Sequence, residues 1–469
     1  MHTESHLPTF HIVLRGVACV SLASLTLLLP SVPSYDPWSW LVWGREVVHL
    51  DLNTMTGPSW KPLPVLLTAP YSLAGSAAPD LWLATARAAT FGAVLVAVTL
   101  GMRFAGRLAG VFAGAALLLS PWLWHAVWTG NSEGILILCV LAATERQLAG
   151  RSGQAFALAV VAGLLRPEAW VFLGLYAAWL VAQDRRRLRW AVGGLALIPA
   201  LWFLPELWGS GSLFRAAERA REAGLDAPAN TAHPALTVLQ NFGRLAPWHV
   251  RLGVVAWIVW LLLGRRHTKA EISAMALGGL GLAWLLIVAA MSEIGFSGID
   301  RYIFICVAIA CVLAGVGLAW TLIALCRPGD MRVARSAGAV LIAALSLAGV
   351  GKLSRDFRLV KQLDHEAAVL DDLDVAIRSA GGPHALEACG PLYASHQTTP
   401  SIAWTLGRHL EEVSPFAMPP GTVLRAQLIL EDPIDPPAGA LAESPDRKEV
   451  ARTEYWHVES ACKSPDQPR

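Results

Sequence analysis

Apolar segments about 20 residues long recur along the first three quarters of the chain, and this repetition constrains the fold most. A helix needs about 20 apolar residues to cross a bilayer, and fewer where protein packing supports it. Only 15% of the 469 residues are charged, against roughly 25% in a typical soluble protein. The sequence therefore predicts an all-α polytopic membrane bundle of about eleven transmembrane helices, at 11–30, 80–102, 108–128, 132–148, 154–165, 168–183, 190–208, 251–264, 271–291, 302–326 and 336–352.

The placement of Lys and Arg predicts the orientation, because short cationic loops are retained in the cytoplasm. The first apolar run lacks the basic start and the cleavage site of a signal peptide, so we expect an uncleaved first span. An odd number of spans then places the N-terminus in the cytoplasm and the C-terminus outside a multi-pass cell (plasma) membrane protein. Alternate loops hold fourteen such charges: Arg103, Arg107, Arg146, Arg151, Arg185, Arg186, Arg187, Arg189, Arg265, Arg266, Lys269, Arg327, Arg332 and Arg335.

The end of the chain differs from the rest in charge and hydropathy. From Arg355 onward there are 18 acidic and 11 basic residues, whereas the preceding part has 17 acidic and 26 basic residues. A charged helix over 359–377 and short apolar runs such as 423–430 predict a small extracytoplasmic α/β domain. The domains are therefore a transmembrane domain, 1–352, and a C-terminal domain, 353–469. Cys389 and Cys462 could form a disulfide outside the cytoplasm or remain two independent thiols.

Two polar residues stand out in the long first external loop, 31–79. Asp36 precedes Pro37, which is typical of a helix start, and the neighbouring Trp38, Trp40 and Trp43 could anchor an interfacial helix at the headgroups. Lys61 lies in a Pro-rich turn, where it could extend its amine to the water or hold a lipid phosphate.

Further ionisable residues cluster at the same predicted face. Glu133 opens span four, Arg166 lies between spans five and six, and Arg301 and Tyr302 open span ten. Charged groups near hydrocarbon are costly and tend either to pair or to serve a site. Each could belong to a structural ion pair. Together with Asp36 and Lys61 they give one face two carboxylates and three cations, which suits a phosphorylated substrate.

The order of these motifs resembles the C-type (GT-C) integral membrane glycosyltransferases, especially the family 39 group of protein mannosyltransferases and lipid A aminoarabinose transferases. The resemblance extends from the first span to about span ten. Its departures are Pro37 after Asp36 where the family often has Glu, Glu133 where Asp is common, and Arg166-Pro167-Glu168 in place of Lys-Gly-Pro. The resemblance rests on Asp36, Lys61-Pro62-Leu63-Pro64, Ala86-Arg87, Arg103-Phe104-Ala105-Gly106, Ser120-Pro121, Glu133 and Arg301-Tyr302.

This resemblance implies transfer of a sugar from a polyprenyl-phosphate carrier to an acceptor at the outer face, with inversion at the anomeric carbon. We hypothesise that Asp36 is the general base. Lys61 and Arg301, with Arg166 third, would stabilise the leaving phosphate. Glu133 would orient the acceptor or balance the cations. Tyr302 could hydrogen-bond the phosphate or lie in the aromatic belt.

The expected partners are the lipid bilayer, a polyprenyl-phosphate sugar donor and a glycan, lipid or protein acceptor, and no nucleic acid. The sequence has no clear metal-ligand spacing, so the question whether a divalent cation assists in binding the phosphate stays open. Two other functions remain. A transporter or flippase would place facing ionisable residues at mid-membrane. A non-catalytic scaffold of an envelope complex would leave Asp36 and Lys61 far apart or directed into lipid.

Overall fold

Helices make up most of the protein in a computed structural model, which describes residues 7–224, 226–264, 268–325, 353–430, 434 and 447–462. Short 3-10 turns lie at Gly75–Ala77, Arg185–Arg187, Pro228–Asn230, Asp300–Ile303 and Leu410–Glu412. The helices are α1 Leu7–Thr26, α2 Tyr35–Val48, α3 Pro62–Ser72, α4 Ala78–Leu118, α5 Pro121–Trp128, α6 Glu133–Leu148, α7 Ser152–Gly163, α8 Ala169–Gln183, α9 Leu188–Ser210, α10 Arg215–Arg221, α11 Pro234–Leu245, α12 Trp248–Leu263, α13 Lys269–Glu293, α14 Phe304–Leu325, α15 Leu353–Ser379, α16 Pro383–Glu387 and α17 Thr399–Leu406.

The chain is a multi-pass membrane protein by the length and hydropathy of its helices. Within the described residues, four helical segments can cross a membrane: Gly75–Leu118, Arg185–Ser210, Lys269–Glu293 and Asp300–Leu325. The number rises to six if each of two bent helix pairs is one span, and Val13–Thr26, Ser152–Gly163 and Ala169–Gln183 are shorter apolar helices. Eleven spans and their orientation stay predictions, and the predicted span 336–352 lies outside the described residues.

The helix α4 contains a sharp reversal between two of the predicted spans. Ala105 and Gly106 leave the helical conformation, and Gly106 has φ +82°, which favours glycine. The two arms then pack closely, because a Cβ added at Gly101 would lie 2.7 Å from the carbonyl oxygen of Ala109. The predicted loop between spans 80–102 and 108–128 is this reversal.

The long first loop forms two helices that pack into the protein. In α2, the exposed fraction of Trp38 is 5%, and Trp40 and Trp43 are fully buried. Trp40 packs edge-on against Trp82 of α4, with ring centroids 5.4 Å apart. The alternative in which these tryptophans anchor an interfacial helix at the headgroups is therefore wrong, because neighbouring helices and the C-terminal domain cover them.

The described residues between 353 and 462 form a small α/β unit, which we call the tail domain. Its sheet contains β1 Leu392–Ala394, β2 Val413–Ser414, β3 Gly421–Ala426, β4 Lys448–Arg452 and β5 Trp456–Ala461, in the order β2-β1-β3-β5-β4. β1 runs parallel to β2 and β3, while β5 is antiparallel to β3 and β4. The helix predicted over 359–377 lies within α15.

The tail domain contacts the bundle through the first loop. The Arg45 guanidinium of α2 donates to the backbone carbonyls of Trp404, at 3.1 Å, and Arg408, at 2.5 Å. Its cation also lies 5.4 Å from the Trp404 ring centroid. We call the end of the bundle that carries these contacts the tail-bearing end. In the tail itself, Cys389 and Cys462 are joined as a disulfide that closes a separation of 73 residues.

Candidate active site

A buried carboxylate contacts two cations at the tail-bearing end. Asp36 Oδ2 lies 2.8 Å from Arg301 Nη1 and 3.3 Å from Lys61 Nζ. The exposed fraction of the side chain is 7% for both Asp36 and Lys61 and 27% for Arg301. Lys61 also lies 5.0 Å from the Trp40 ring centroid. Lys61 is therefore enclosed by protein, and the reading in which it extends to water is wrong.

A second ion pair brings the other predicted residues together. Arg166 Nη2 donates to Glu133 Oε1 at 2.7 Å, and the two side chains are 5% and 1% exposed. The Arg166 guanidinium carbon lies 4.2 Å from the ring centroid of Tyr302, which stacks against it. Tyr302 follows Arg301 directly, so this pair adjoins the Asp36 carboxylate. We call the six residues Asp36, Lys61, Glu133, Arg166, Arg301 and Tyr302 the charged cluster.

Backbone hydrogen bonds fix the segments that carry the cluster. The amide of Ser34, just before α2, donates to the carbonyl of Thr129 at 3.0 Å. The amide of Leu63, at the start of α3, donates to the carbonyl of Leu164 at 3.2 Å. These bonds join the start of α2 to the turn before Glu133, and the turn after Lys61 to the turn before Arg166. Residues far apart in sequence are thereby held at one end of the bundle.

Helix starts explain why carboxylates occupy two of these positions. Asp36 and Glu133 lie in the first turns of α2 and α6, where the positive end of the helix dipole favours an anion. Gly134 lets α6 approach α4, because a Cβ there would overlap the Thr90 side chain. Glu133 can therefore lie deep in the bundle.

The electrostatics of the cluster keep Asp36 ionised. Burial alone raises the pKa of the Asp36 carboxyl, but Arg301 and Lys61 outweigh it and hold that pKa well below its usual range. Burial lowers the pKa of the Lys61 amine to about 8, opposed by Asp36 and assisted by Arg166 and Arg301. A further negative charge beside Lys61 would favour its charged form.

The cluster retains unused hydrogen-bonding capacity toward a ligand. Arg301 Nε and Glu133 Oε2 are buried and have no hydrogen-bond partner among the described protein atoms. The first can donate to a phosphate oxygen, and the second can accept from a sugar hydroxyl. Among the described residues, no group of three or more His, Cys, Asp or Glu side chains is arranged to hold a metal ion.

Two further polar residues were not among the predicted site residues. Asn131 accepts from Arg301 at 3.5 Å and from Ser34 at 3.4 Å, and so lies between two parts of the cluster. At the far end of α2, His409 Nδ1 lies 2.8 Å from Glu46 Oε1. The acidic and amide positions were visible in the sequence, but only tertiary packing identifies their partners.

The fold of the chain is similar to the folds of two solved structures of the protein ArnT. ArnT from Cupriavidus metallidurans bound to undecaprenyl phosphate matches with a TM-score of 0.59 and 16% identity over 98% of this chain and 100% of that one. The same protein in the apo state matches with a TM-score of 0.55 and 17% identity over the same shares. No family model and no curated protein sequence matches the chain.

Proposed function

We propose that the chain is a glycosyltransferase that moves a sugar from a polyprenyl-phosphate carrier to an acceptor at the outer face of the cell membrane. The observation that carries the proposal is the charged cluster, in which a carboxylate and cations lie in contact at one end of a GT-C bundle. ArnT, which shares the fold, binds undecaprenyl phosphate. In this proposal, the tail-bearing end faces outward and the N-terminus is cytoplasmic.

Asp36 is the general base in the proposed reaction. An acceptor hydroxyl oxygen forms a bond to the anomeric carbon as the bond from that carbon to the phosphate oxygen breaks. The electron pair leaves with the polyprenyl phosphate, and Asp36 takes the hydroxyl proton. This single displacement inverts the anomeric carbon. Base catalysis of this kind contributes roughly 10²–10⁴ in rate.

Lys61 and Arg301 stabilise the phosphate as charge develops on it. Fixed cations in a poorly hydrated site are typically the largest contribution to such catalysis. Arg301 can present its unpartnered Nε to the phosphate while Nη1 stays paired with Asp36, and Lys61 acts as a point charge. Arg166 and Glu133 complete the charge balance, and Tyr302 packs under Arg166.

The same cations couple the strength of the base to donor binding. Without a donor, Lys61 and Arg301 lower the pKa of Asp36, which makes it a weak base. A phosphate bound between them adds negative charge and withdraws part of their attraction from Asp36. The pKa of the carboxyl then rises toward its usual value. Asp36 becomes a competent proton acceptor when the leaving group is in place.

An apolar groove suits the carrier's prenyl chain. A cavity of about 470 Å³ lies between α6, α7, α8 and α13 and includes Phe172, Tyr176 and Trp284 in its lining. Trp284 donates to the carbonyl of Tyr302 at 3.1 Å, so one end of the groove adjoins the charged cluster. A lipid whose chain occupies this groove can place its phosphate at the cluster.

The contact between Asp36 and Lys61 disfavours the scaffold alternative, which would leave these two side chains apart or in lipid. The ionisable groups also gather at a bundle end, whereas a flippase would place facing groups at mid-membrane.

The test is a screen of radiolabelled polyprenyl-phosphate sugars with the purified protein, with and without a divalent cation. We expect one donor to lose its label to an acceptor fraction, with an inverted anomeric configuration in the product. The Lys61→Met/Arg301→Gln double variant should be inactive. Transfer from none of the donors would contradict the proposal, and retention of configuration would contradict the single displacement.

A further inference from the structure

Two adjoining cavities separate the tail domain from the start of the first loop. One, of about 370 Å³, includes Tyr35, Thr398 and Ser401 in its lining. The other, of about 400 Å³, includes Asp80 and Asp371. Val32, Pro33, Trp38 and Leu370 line both cavities. We treat them as one cleft, the tail cleft, bounded by α15 and α17 on one side and the bundle on the other.

The tail cleft begins next to the carboxylate of the charged cluster. Ser34 and Tyr35 line it, and Asp36 is the next residue in the chain. The Ser34 hydroxyl donates to Asn131 Oδ1 at 3.4 Å, and that oxygen also accepts from Arg301, the cation that contacts Asp36. His396 of the tail domain stacks on Tyr35 with ring centroids 4.4 Å apart. A molecule in the cleft can therefore extend toward Asp36.

The lining of the cleft suits a saccharide. Thr398 and Ser401 supply hydroxyl oxygens as acceptors, since both hydroxyls donate to backbone carbonyls, and Gln397 supplies an amide. Trp38 and Trp404 supply aromatic surface, with ring centroids 6.3 Å apart. Binding pockets combine apolar and aromatic walls with a few polar groups that fix orientation. Sugar rings offer both an apolar face and a rim of hydroxyls, so they match this combination.

The charge of the cleft restricts which saccharide fits. Its lining contains four carboxylates, Asp80, Glu366, Asp371 and Asp374, and no Lys or Arg. Asp371 and Asp374 are exposed and form no ion pair with a described residue. Like charges brought together disfavour the wrong partner, so an acidic or phosphorylated glycan would be repelled.

Two cations outside the lining do not change this balance. Arg45, which lies over the Trp404 ring, already donates to the backbone carbonyls of Trp404 and Arg408. Arg219 is electrostatically coupled to Tyr35 and His396. Its guanidinium already donates to the carbonyl of Met55 at 2.7 Å and pairs with Glu222 at 3.1 Å.

We propose that the tail cleft is the acceptor site and that its ligand is a saccharide without negative charge, with amine-bearing saccharides preferred. This inference rests on the proposed function and names the acceptor class for the same reaction. The acceptor lies along α15 and α17 and presents one hydroxyl to Asp36. The tail domain is then the element that selects the acceptor.

The test compares three fluorescently labelled tetrasaccharides of equal length on the full-length protein in nanodiscs. These are a glucosamine tetramer, its N-acetylated form and a galacturonic acid tetramer, which carry amines, no charge and carboxylates. We expect the glucosamine tetramer to bind most tightly, the N-acetylated tetramer more weakly and the galacturonate tetramer not at all. Fluorescence polarisation at several salt concentrations measures this order, because salt should weaken only the charged ligand.

Variants then connect binding to the cleft. Asp371→Asn/Asp374→Asn should weaken binding of the glucosamine tetramer about tenfold, as two partly exposed charge pairs would, and leave the N-acetylated tetramer unchanged. Asp364→Asn, an exposed position on the same helix outside the cleft lining, is the matched control and should change neither. Preferential binding of galacturonate, binding of none of the three, or an equal effect of both variants would overturn the inference.

Undecaprenyl-phosphate binding to the same samples separates the two proposals. One outcome is that the lipid binds wild type and its binding is lost with Lys61→Met/Arg301→Gln. If the tetrasaccharides then behave otherwise than expected, the acceptor inference fails alone. If the lipid does not bind at all, the proposed function fails with it.

Discussion

Replacing Lys61 by Met should reduce lipid-phosphate binding much more than folding stability. Removing one member of a buried ion pair costs about 3–5 kcal/mol when the remaining charge is left unpaired. Here Asp36 keeps Arg301 at 2.8 Å, and Met fills most of the space of the lysine stem. We therefore expect the free energy of unfolding to fall by only about 1–2 kcal/mol, the usual range for a single substitution.

The expected loss in binding is larger, because Lys61 contributes a charged hydrogen bond to the phosphate. Such bonds are worth about 1.5–3 kcal/mol, or roughly 10- to 150-fold in Kd. The assay titrates undecaprenyl phosphate into wild type and Lys61→Met in nanodiscs, with thermal unfolding of the same samples. Lys61→Arg should recover part of the binding because it keeps the charge.

Lys269→Met is the matched control. Lys269 is exposed at the start of α13, at the opposite end of that helix from the cluster. It should bind like wild type. If Lys61→Met binds the lipid unchanged, or if the loss of stability accounts for the whole loss of binding, Lys61 has only a structural role.

Three further predictions concern the elements that support the site. Gly44→Ala should destabilise the protein by about 1–3 kcal/mol, because its Cβ would lie 2.7 Å from backbone of α3, whereas Gly174→Ala, which meets open space, should not. Burial in the folded protein raises the pKa of Glu46 to about 7. Burial lowers the pKa of His409, but its acidic partners outweigh burial and raise that pKa. The folded pair therefore binds more protons than the unfolded chain. Thermal stability should then be highest near pH 5 and fall toward pH 8, and Glu46→Gln should flatten the slope; an unchanged slope would contradict this assignment. Cys462→Ser should lower the free energy of unfolding of the tail domain by about 4 kcal/mol, because the disulfide closes a separation of 73 residues. The variant should then be more sensitive to protease, and protease resistance equal to wild type would refute that cost.

Much of the architecture follows from hydropathy. The predicted spans 132–148, 154–165, 168–183 and 190–208 coincide closely with helices α6 to α9. A charged helix over 359–377, which lies within α15, and a small α/β domain were predicted at the C-terminus. Apolar length and turn residues are local signals, so they predict helices and turns without knowledge of the tertiary packing.

The candidate site was predicted as a set of residues but not as a geometry. The sequence placed Asp36, Lys61 and Arg301 at one face, and the structure brings the two cations within 3.3 Å of the Asp36 carboxylate. It could not show that Arg166 pairs with Glu133, because those residues are 33 positions apart and meet through the packing of different helices.

Tertiary context also reversed the local reading of the first loop. A Trp-rich segment beside an apolar span is typical of a headgroup-level helix. Burial of Trp40 and Trp43 depends on α3, α4 and the tail domain, none of which the local sequence describes.

The most direct test of the central claim is a single-turnover assay of Asp36→Asn with the donor identified by the screen. The substitution preserves shape and removes the proton acceptor, so we expect the transfer rate to fall by roughly 10²–10⁴. Binding of undecaprenyl phosphate and thermal stability should show that the variant is folded and still takes the carrier. A transfer rate equal to wild type in a folded, lipid-binding Asp36→Asn protein would contradict the account.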